Sequence, residues 1–209
     1  MTKSRIENLS DGTFAIILTL LVIELLVPDK IATNTEAELI RTLSEFGPLL
    51  IGYAISFAVI IMFWITHGVF FGTLVKTVNR PLALINALFL GFLALIPFSA
   101  HMLGRYMDFP IAAQVYGINV LILGLLVVAL FEYALYAKEV KTNHNDARTV
   151  ALVRARIYLT PAITFFGLLM TTISIPAALF FFAFPIVFNS TPGLMTKLEE
   201  YSGVHLGDK

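Results

Sequence analysis

Apolar residues in this chain gather into long, almost uncharged runs over approximately 9–27, 47–75, 81–104, 110–137, 157–174 and 175–189. A helix rises 1.5 Å per residue, so about 20 apolar residues cross the roughly 30 Å hydrocarbon core of a bilayer. A backbone in lipid must satisfy its own polar groups, and a helix does so within one segment. The pattern therefore predicts an all-α, polytopic integral membrane protein, one domain over residues 1–209 with six transmembrane helices. The last two runs are the hardest to divide. Between Arg156 and Asn189 no charge follows the arginine, a stretch too long for one straight span and short for two. Pro161, Pro176 and Pro185 interrupt it, which predicts a tight hairpin turning near Ser174–Pro176.

Composition agrees. The chain is 58% hydrophobic with 13% charged residues and a mean hydropathy of +0.86, whereas a soluble domain carries about a quarter charged residues. The formal net charge is zero, so nothing implies bulk attraction to nucleic acid. There is no cysteine, which excludes disulfides and thiolate chemistry. Lys3 and Arg5 precede the first run in the manner of a signal peptide. Asp11 inside that run and the absence of a convincing cleavage site favour a retained span.

Basic residues set the expected topology. Lys3 and Arg5, Lys76 and Arg80, and the set Lys138, Lys141, Arg148, Arg154 and Arg156 alternate with the acidic loop carrying Asp29, Glu36, Glu38 and Glu45. This places the N-terminus, the second loop and the fourth loop inside; with the hairpin, both termini are cytoplasmic. Thr35-Glu36-Ala37-Glu38 has the form of a capping box ahead of Leu39, Ile40 and Leu43. It predicts a short amphipathic helix, or an extension of the second span. Asn143-His144-Asn145-Asp146 predicts a turn that caps a helix from Ala147.

Polar residues inside such runs are costly without partners. The first run opens Arg5-Ile6-Glu7-Asn8-Leu9-Ser10-Asp11-Gly12. If successive helices alternate in direction, Trp64 and His67 come roughly 25–30 Å along the second helix, and Asn86 about 8 Å along the third. Ser10, Asp11, Trp64, His67 and Asn86 then share one level near the inner surface, where Asp11 can accept from a hydroxyl, an amide, an indole or an imidazole. A structural hydrogen-bond network is the favoured reading; decoration at headgroup depth is the alternative. His101 and Arg105 are expected at the outer interface. Glu132 is expected to snorkel toward Lys138 or water, and Gln114 and Asn119 to bond between helices. Pro97 is expected to kink the third helix.

Enzyme chemistry finds no footing. His-Glu-x-x-His, Gly-x-Ser-x-Gly and Gly-rich phosphate loops are all missing from the sequence. No metal or cofactor site is expected. A proton-coupled secondary transporter of a cation or small solute is the serious alternative, with His67 and Asp11 as its titrating pair. Transporters, however, tend to carry inverted repeats and midplane charges, and here the midplane is almost bare.

The segment Arg5-x-x-x-Leu9-Ser10-Asp11 resembles the Arg-x-x-x-Phe-Ser-Asp signature of the transmembrane-protein-175 potassium channels. Phe63-Trp64-Ile65-Thr66-His67, Asn86 and Leu95-Ile96-Pro97-Phe98 extend the resemblance over roughly residues 5–104. Leu9 stands where the signature has phenylalanine. The resemblance implies a leak-type potassium channel in a bacterial cell membrane, a homotetramer whose first helices line a central pore for monovalent cations. No Thr-Val-Gly-Tyr-Gly filter is present, so selection would fall to an apolar constriction. Carried onto this chain, Ile16 forms the neck, with Thr19, Leu20 and Ile23 on the same stripe. Arg5, Ser10, Asp11, Trp64, His67 and Asn86 would brace that helix. Without the resemblance, an Ile/Leu stripe reads as helix contact or lipid contact. Glu24 is placed either to attract cations at an outer mouth or to reach the headgroups.

Overall fold

The computed structural model describes residues 2–23, 25, 35–140 and 147–190. Among them the regular elements are helical: α1 (Lys3–Ile23), α2 (Glu36–Glu45), α3 (Gly47–Val69), a π-helical turn (Phe70–Leu74), α4 (Arg80–Leu93), α5 (Ile96–Arg105), α6 (Pro110–Tyr136), α7 (Ala147–Met170) and α8 (Ile175–Ser190). Among the described residues five stretches are long and apolar enough to cross a membrane: Lys3–Ile23, Gly47–Gly72, Arg80–Arg105, Pro110–Tyr136 and Val153–Met170. The sixth expected span, α8, has 16 residues and so reaches only about 24 Å. It is the short arm of a hairpin with α7.

Local chemistry sets the element ends. Thr35 accepts a hydrogen bond at Oγ1 from the Glu38 amide at 3.3 Å, the first half of the expected capping box, and α2 is a separate helix ahead of α3. Asn79 caps α4, its Oδ1 accepting from the Leu82 amide at 3.1 Å, with Pro81 in the first turn. The third span breaks after Leu93 and restarts at Ile96. Pro97 then lies in the first turn of α5, where its missing N–H leaves no helical partner unpaired. The turn between α7 and α8 covers Thr171–Ile173, next to the expected position. Pro161 lies inside α7 without ending it, and Gly124 of α6 leaves room for its ring: a Cβ there would meet Pro161 Cδ at 3.2 Å. The helix expected from Ala147 starts at that residue; its capping turn at residues 143–146 and the tail beyond 190 lie outside the described residues.

Helix α6 is the hub, packing on α4, α5, α7 and α8, while α1 packs against α3, α4 and α5. Small residues let α3 and α5 approach closely. A Cβ on Gly104 would lie 2.9 Å from Leu49 Cα, and one on Gly52 would lie 3.3 Å from the Ala100 carbonyl oxygen. Polar pairs tie α6 to its neighbours: Tyr116 with Ser56 of α3 at 3.3 Å, Asn119 to Ser99 of α5 at 3.2 Å and Gln114 to Thr171 at the end of α7 at 3.3 Å. Gln114 and Asn119 thus bond between helices as expected. Glu132 does not. It pairs not with Lys138 but with Arg154 of α7, accepting two bonds at 2.7 and 2.8 Å while its side chain stays 21% exposed. Packing of α7 along α6 sets the guanidinium within reach.

Candidate functional site

Helix α1 is two-sided. Ile6, Ser10, Phe14, Ile17 and Leu21 are buried at spacings of four, four, three and four, one stripe of a 3.6-residue helix. Through that stripe runs a directional chain of hydrogen bonds. Ser10 Oγ donates to the Ile6 carbonyl at 2.9 Å, and Asn86 Nδ2 donates to Ser10 Oγ at 3.2 Å. Asn86 Oδ1 faces His67 Nε2 at 2.8 Å. Since the Ser10 hydrogen is already committed, Asn86 must present its amide to Ser10 and its oxygen to the imidazole, which makes Nε2 the protonated nitrogen. All three side chains are buried, and they tie α1 to α3 and α4.

Three phenylalanines hold the imidazole in place. His67 stacks on Phe89 (5.7 Å, 13°), lies 4.6 Å from Phe71 and takes the edge of Phe14 at 5.9 Å. Phe71 belongs to the π-helical turn that follows α3, closed by the Val75 amide on the Phe70 carbonyl at 3.2 Å. The wider turn sets Phe71 against the ring. Nothing in the hydrophobic pattern marks this turn, and the three rings carry no polar signal.

Asp11 and Trp64 form a separate pair. The indole Nε1 donates to Asp11 Oδ1 at 3.1 Å, in an exposed setting. The six residues grouped in the sequence therefore lie in three places: Ser10, Asn86 and His67 in a buried chain, Asp11 with Trp64 on the flank, and Arg5 exposed with no polar partner among the described residues.

A second, exposed face of α1 carries Leu9, Ile16, Leu20 and Ile23, 56%, 60%, 44% and 51% exposed. Thr19 is exposed beside them, its hydroxyl donating to the Ile16 carbonyl at 2.7 Å and leaving oxygen lone pairs outward. Leu9, the departure from the signature, stands on this outward face and so removes nothing from the subunit core. Gly12 lies there too, and a Cβ on it would meet nothing within 4 Å. Glu24 lies outside the described residues. Among the described residues no three His, Asp or Glu side chains converge as metal ligands would.

The family model for the endosomal/lysosomal potassium channel TMEM175 matches residues 5–97, the stretch that builds both faces of α1. A potassium channel of Streptomyces collinus is 30% identical over 161 residues, covering 75% of this chain and 76% of that one. The chain belongs to the TMEM175 family. A potassium channel of Chamaesiphon minutus is 28% identical over 174 residues, 82% of this chain and 85% of the relative. A solved lysosomal potassium-selective channel TMEM175 homologue from C. minutus superposes with a TM-score of 0.79 at 25% identity, over 90% of this chain and 96% of that one. The Gallus gallus relative, named an endosomal/lysosomal proton channel TMEM175, is 27% identical over 184 residues. This chain spans 36% of that protein's length. The TMEM175 assignment makes this a multi-pass membrane protein of a cation-channel family.

Proposed function

We propose that the chain is a leak-type potassium channel of a bacterial inner membrane, with both termini cytoplasmic, working as a homotetramer without a cofactor. The observation that carries this is the outward apolar stripe of α1, which is distinct from the face fixed by the Ser10–Asn86–His67 chain. Four such stripes around an axis form a narrow apolar passage. Ile16 is its neck, Leu20 and Ile23 continue it, and the Thr19 oxygens offer a partial replacement for hydration water. Potassium sheds its hydration shell at lower cost than sodium, so a dry neck favours potassium by a moderate margin. Arg5 stands four residues before Leu9 on the same stripe, at the entrance. Asp11 and Trp64 brace the helix from its flank, and Glu24 would add charge at the other mouth. Names of relatives from bacteria and animals, potassium channel and proton channel, support cation permeation.

The test is ion flux from the purified protein in liposomes, potassium against sodium, with Ile16→Asn alongside. Potassium flux exceeding sodium flux, with selectivity eroded by the substitution, is the expected result. Flux that requires a proton gradient would replace the channel with a proton-coupled transporter and turn attention to His67 and Asp11.

A further inference from the structure

We propose that the connections after α3 and after α6 together bind the phosphate group of an anionic membrane lipid, through Lys76, Arg80 and Lys138. Two loops far apart in sequence are fastened to each other here. Thr77 Oγ1 donates to the Glu139 carbonyl at 3.3 Å, and Asn79 Nδ2 donates to Glu139 Oε2 at 3.1 Å and to the Tyr133 hydroxyl at 2.8 Å. Lys76 and Arg80 flank the first side of this clasp and Lys138 the second, each one residue from a clasped position. All three are exposed, and none has a hydrogen-bond or ion-pair partner among the described residues. The one carboxylate in the clasp, Glu139, is engaged by Asn79, so the patch keeps an excess of positive charge.

The surroundings favour a lipid over a soluble anion. Arg80 lies at the start of α4, and Leu84 and Leu88 follow at intervals of four on the same face. Both leucines are well exposed. Tyr136 is exposed at the end of α6, two residues before Lys138. A charged head met by an apolar stripe running into the bilayer matches a phospholipid, phosphate at the arginine and acyl chain along the leucines. A soluble phosphate would use only half of it. The site also shares α4 with the buried chain: Asn79 precedes Asn86 by two turns, about 10 Å, and Asn86 holds Ser10 of α1.

The test is binding, read independently of conduction. Purified full-length protein in neutral detergent is titrated with phosphatidylglycerol, phosphatidylcholine of the same acyl chains, and glycerol 1-phosphate. Thermal midpoint and native mass spectrometry report occupancy. Each cation near an anionic headgroup contributes roughly five-fold in affinity, so Lys76→Gln/Arg80→Gln/Lys138→Gln should weaken phosphatidylglycerol binding by about 100-fold, and Lys138→Gln alone by roughly five-fold. Arg41→Gln/Arg105→Gln, at the opposite end of the bundle, should leave it unchanged. Equal response to the two lipids, full binding by the triple variant, or an equal loss in the Arg41/Arg105 variant would overturn the site as mere surface charge. An equal response to glycerol 1-phosphate would overturn the lipid in favour of a free-phosphate site.

Discussion

His67 Nε2 lies 2.8 Å from Asn86 Oδ1, and the direction of that bond is dictated two residues away, by Ser10 giving its hydrogen to the Ile6 carbonyl. Asn86 is bonded to side chains on both sides, Ser10 of α1 and His67 of α3, so it couples α1 to the aromatic cage around the imidazole. Replacing it with alanine strands a buried imidazole N–H and leaves the Ser10 hydroxyl without its donor. An unsatisfied buried group costs about 1–3 kcal/mol. Asn86→Ala should therefore lower the thermal midpoint clearly, and Ser10→Ala combined with it should show an interaction energy of about 0.5–3 kcal/mol in a double-mutant cycle. Strict additivity would mean the chain is three independent contacts.

Asp11 and Trp64 make a different demand. Their bond is exposed in the single subunit, so Trp64→Phe should change the stability of the subunit by less than about 1 kcal/mol, as exposed polar contacts do. A carboxylate on a membrane-length helix is tolerated only where protein or water surrounds it. If the proposed homotetramer forms, Asp11→Ala should thus lower its yield while the α-helical content is kept. A normal tetramer on size exclusion with light scattering would remove the pair from the bracing role.

Much of this fold is legible in the apolar pattern. Runs of about 20 residues carry their own length requirement, so the helices of the second and fourth spans start where expected, at Gly47 and Pro110. Thr35 is legible for another reason: its cap acts within four residues, and local chemistry is written locally. Depth is legible as well, because rise per residue is fixed, and Ser10, His67 and Asn86 do meet. Their separation from Asp11 and Trp64 is not. Ser10 and Asp11 are adjacent in sequence but about 100° apart around the helix, and depth alone ignores that rotation. The π-helical turn and the Glu132–Arg154 pair are equally silent, since both depend on what another helix presents across a gap.

That pair gives a third prediction. Arg154 grips Glu132 with both nitrogens, a geometry stronger than a single contact. Yet the side chains remain 40% and 21% exposed, so solvent discounts it. Glu132→Gln should cost about 1 kcal/mol, read as a small fall in thermal midpoint that shrinks further in high salt. A fall independent of salt would point to shape, not charge, at the α6–α7 contact.

The close approach of α3 and α5 predicts a contrast between two glycines. A Cβ on Gly104 would sit 2.9 Å from the Leu49 Cα, a backbone atom that can move only with its helix, whereas one on Gly12 meets nothing within 4 Å. Overfilling a well-filled contact costs about 1–3 kcal/mol. Gly104→Ala should be destabilised by that amount, against a Gly12→Ala that keeps the wild-type midpoint. Equal midpoints for the two variants would show that α3 and α5 slide apart freely.

Ile16 and Ile17 are neighbours of the same type on different faces, 60% and 2% exposed, and they separate the two roles of α1 in one experiment. Ile17→Asn buries an amide among Phe14, Leu21 and the rest of the subunit core, where an unpaired polar group costs about 1–3 kcal/mol by mutational measures. It should reduce stability, and any fall in flux should follow the amount of folded protein. Ile16→Asn meets no such penalty, because its side chain leaves the subunit. If four copies of Ile16 close the passage, the amide wets the neck, so total flux rises, the preference for potassium over sodium falls, and the thermal midpoint stays near wild type. The decisive comparison is flux normalised to folded protein: raised by Ile16→Asn and unchanged by Ile17→Asn. Unaltered flux and selectivity in Ile16→Asn would mean that this stripe faces lipid or another helix, and the neck would have to be sought on a different face of the bundle.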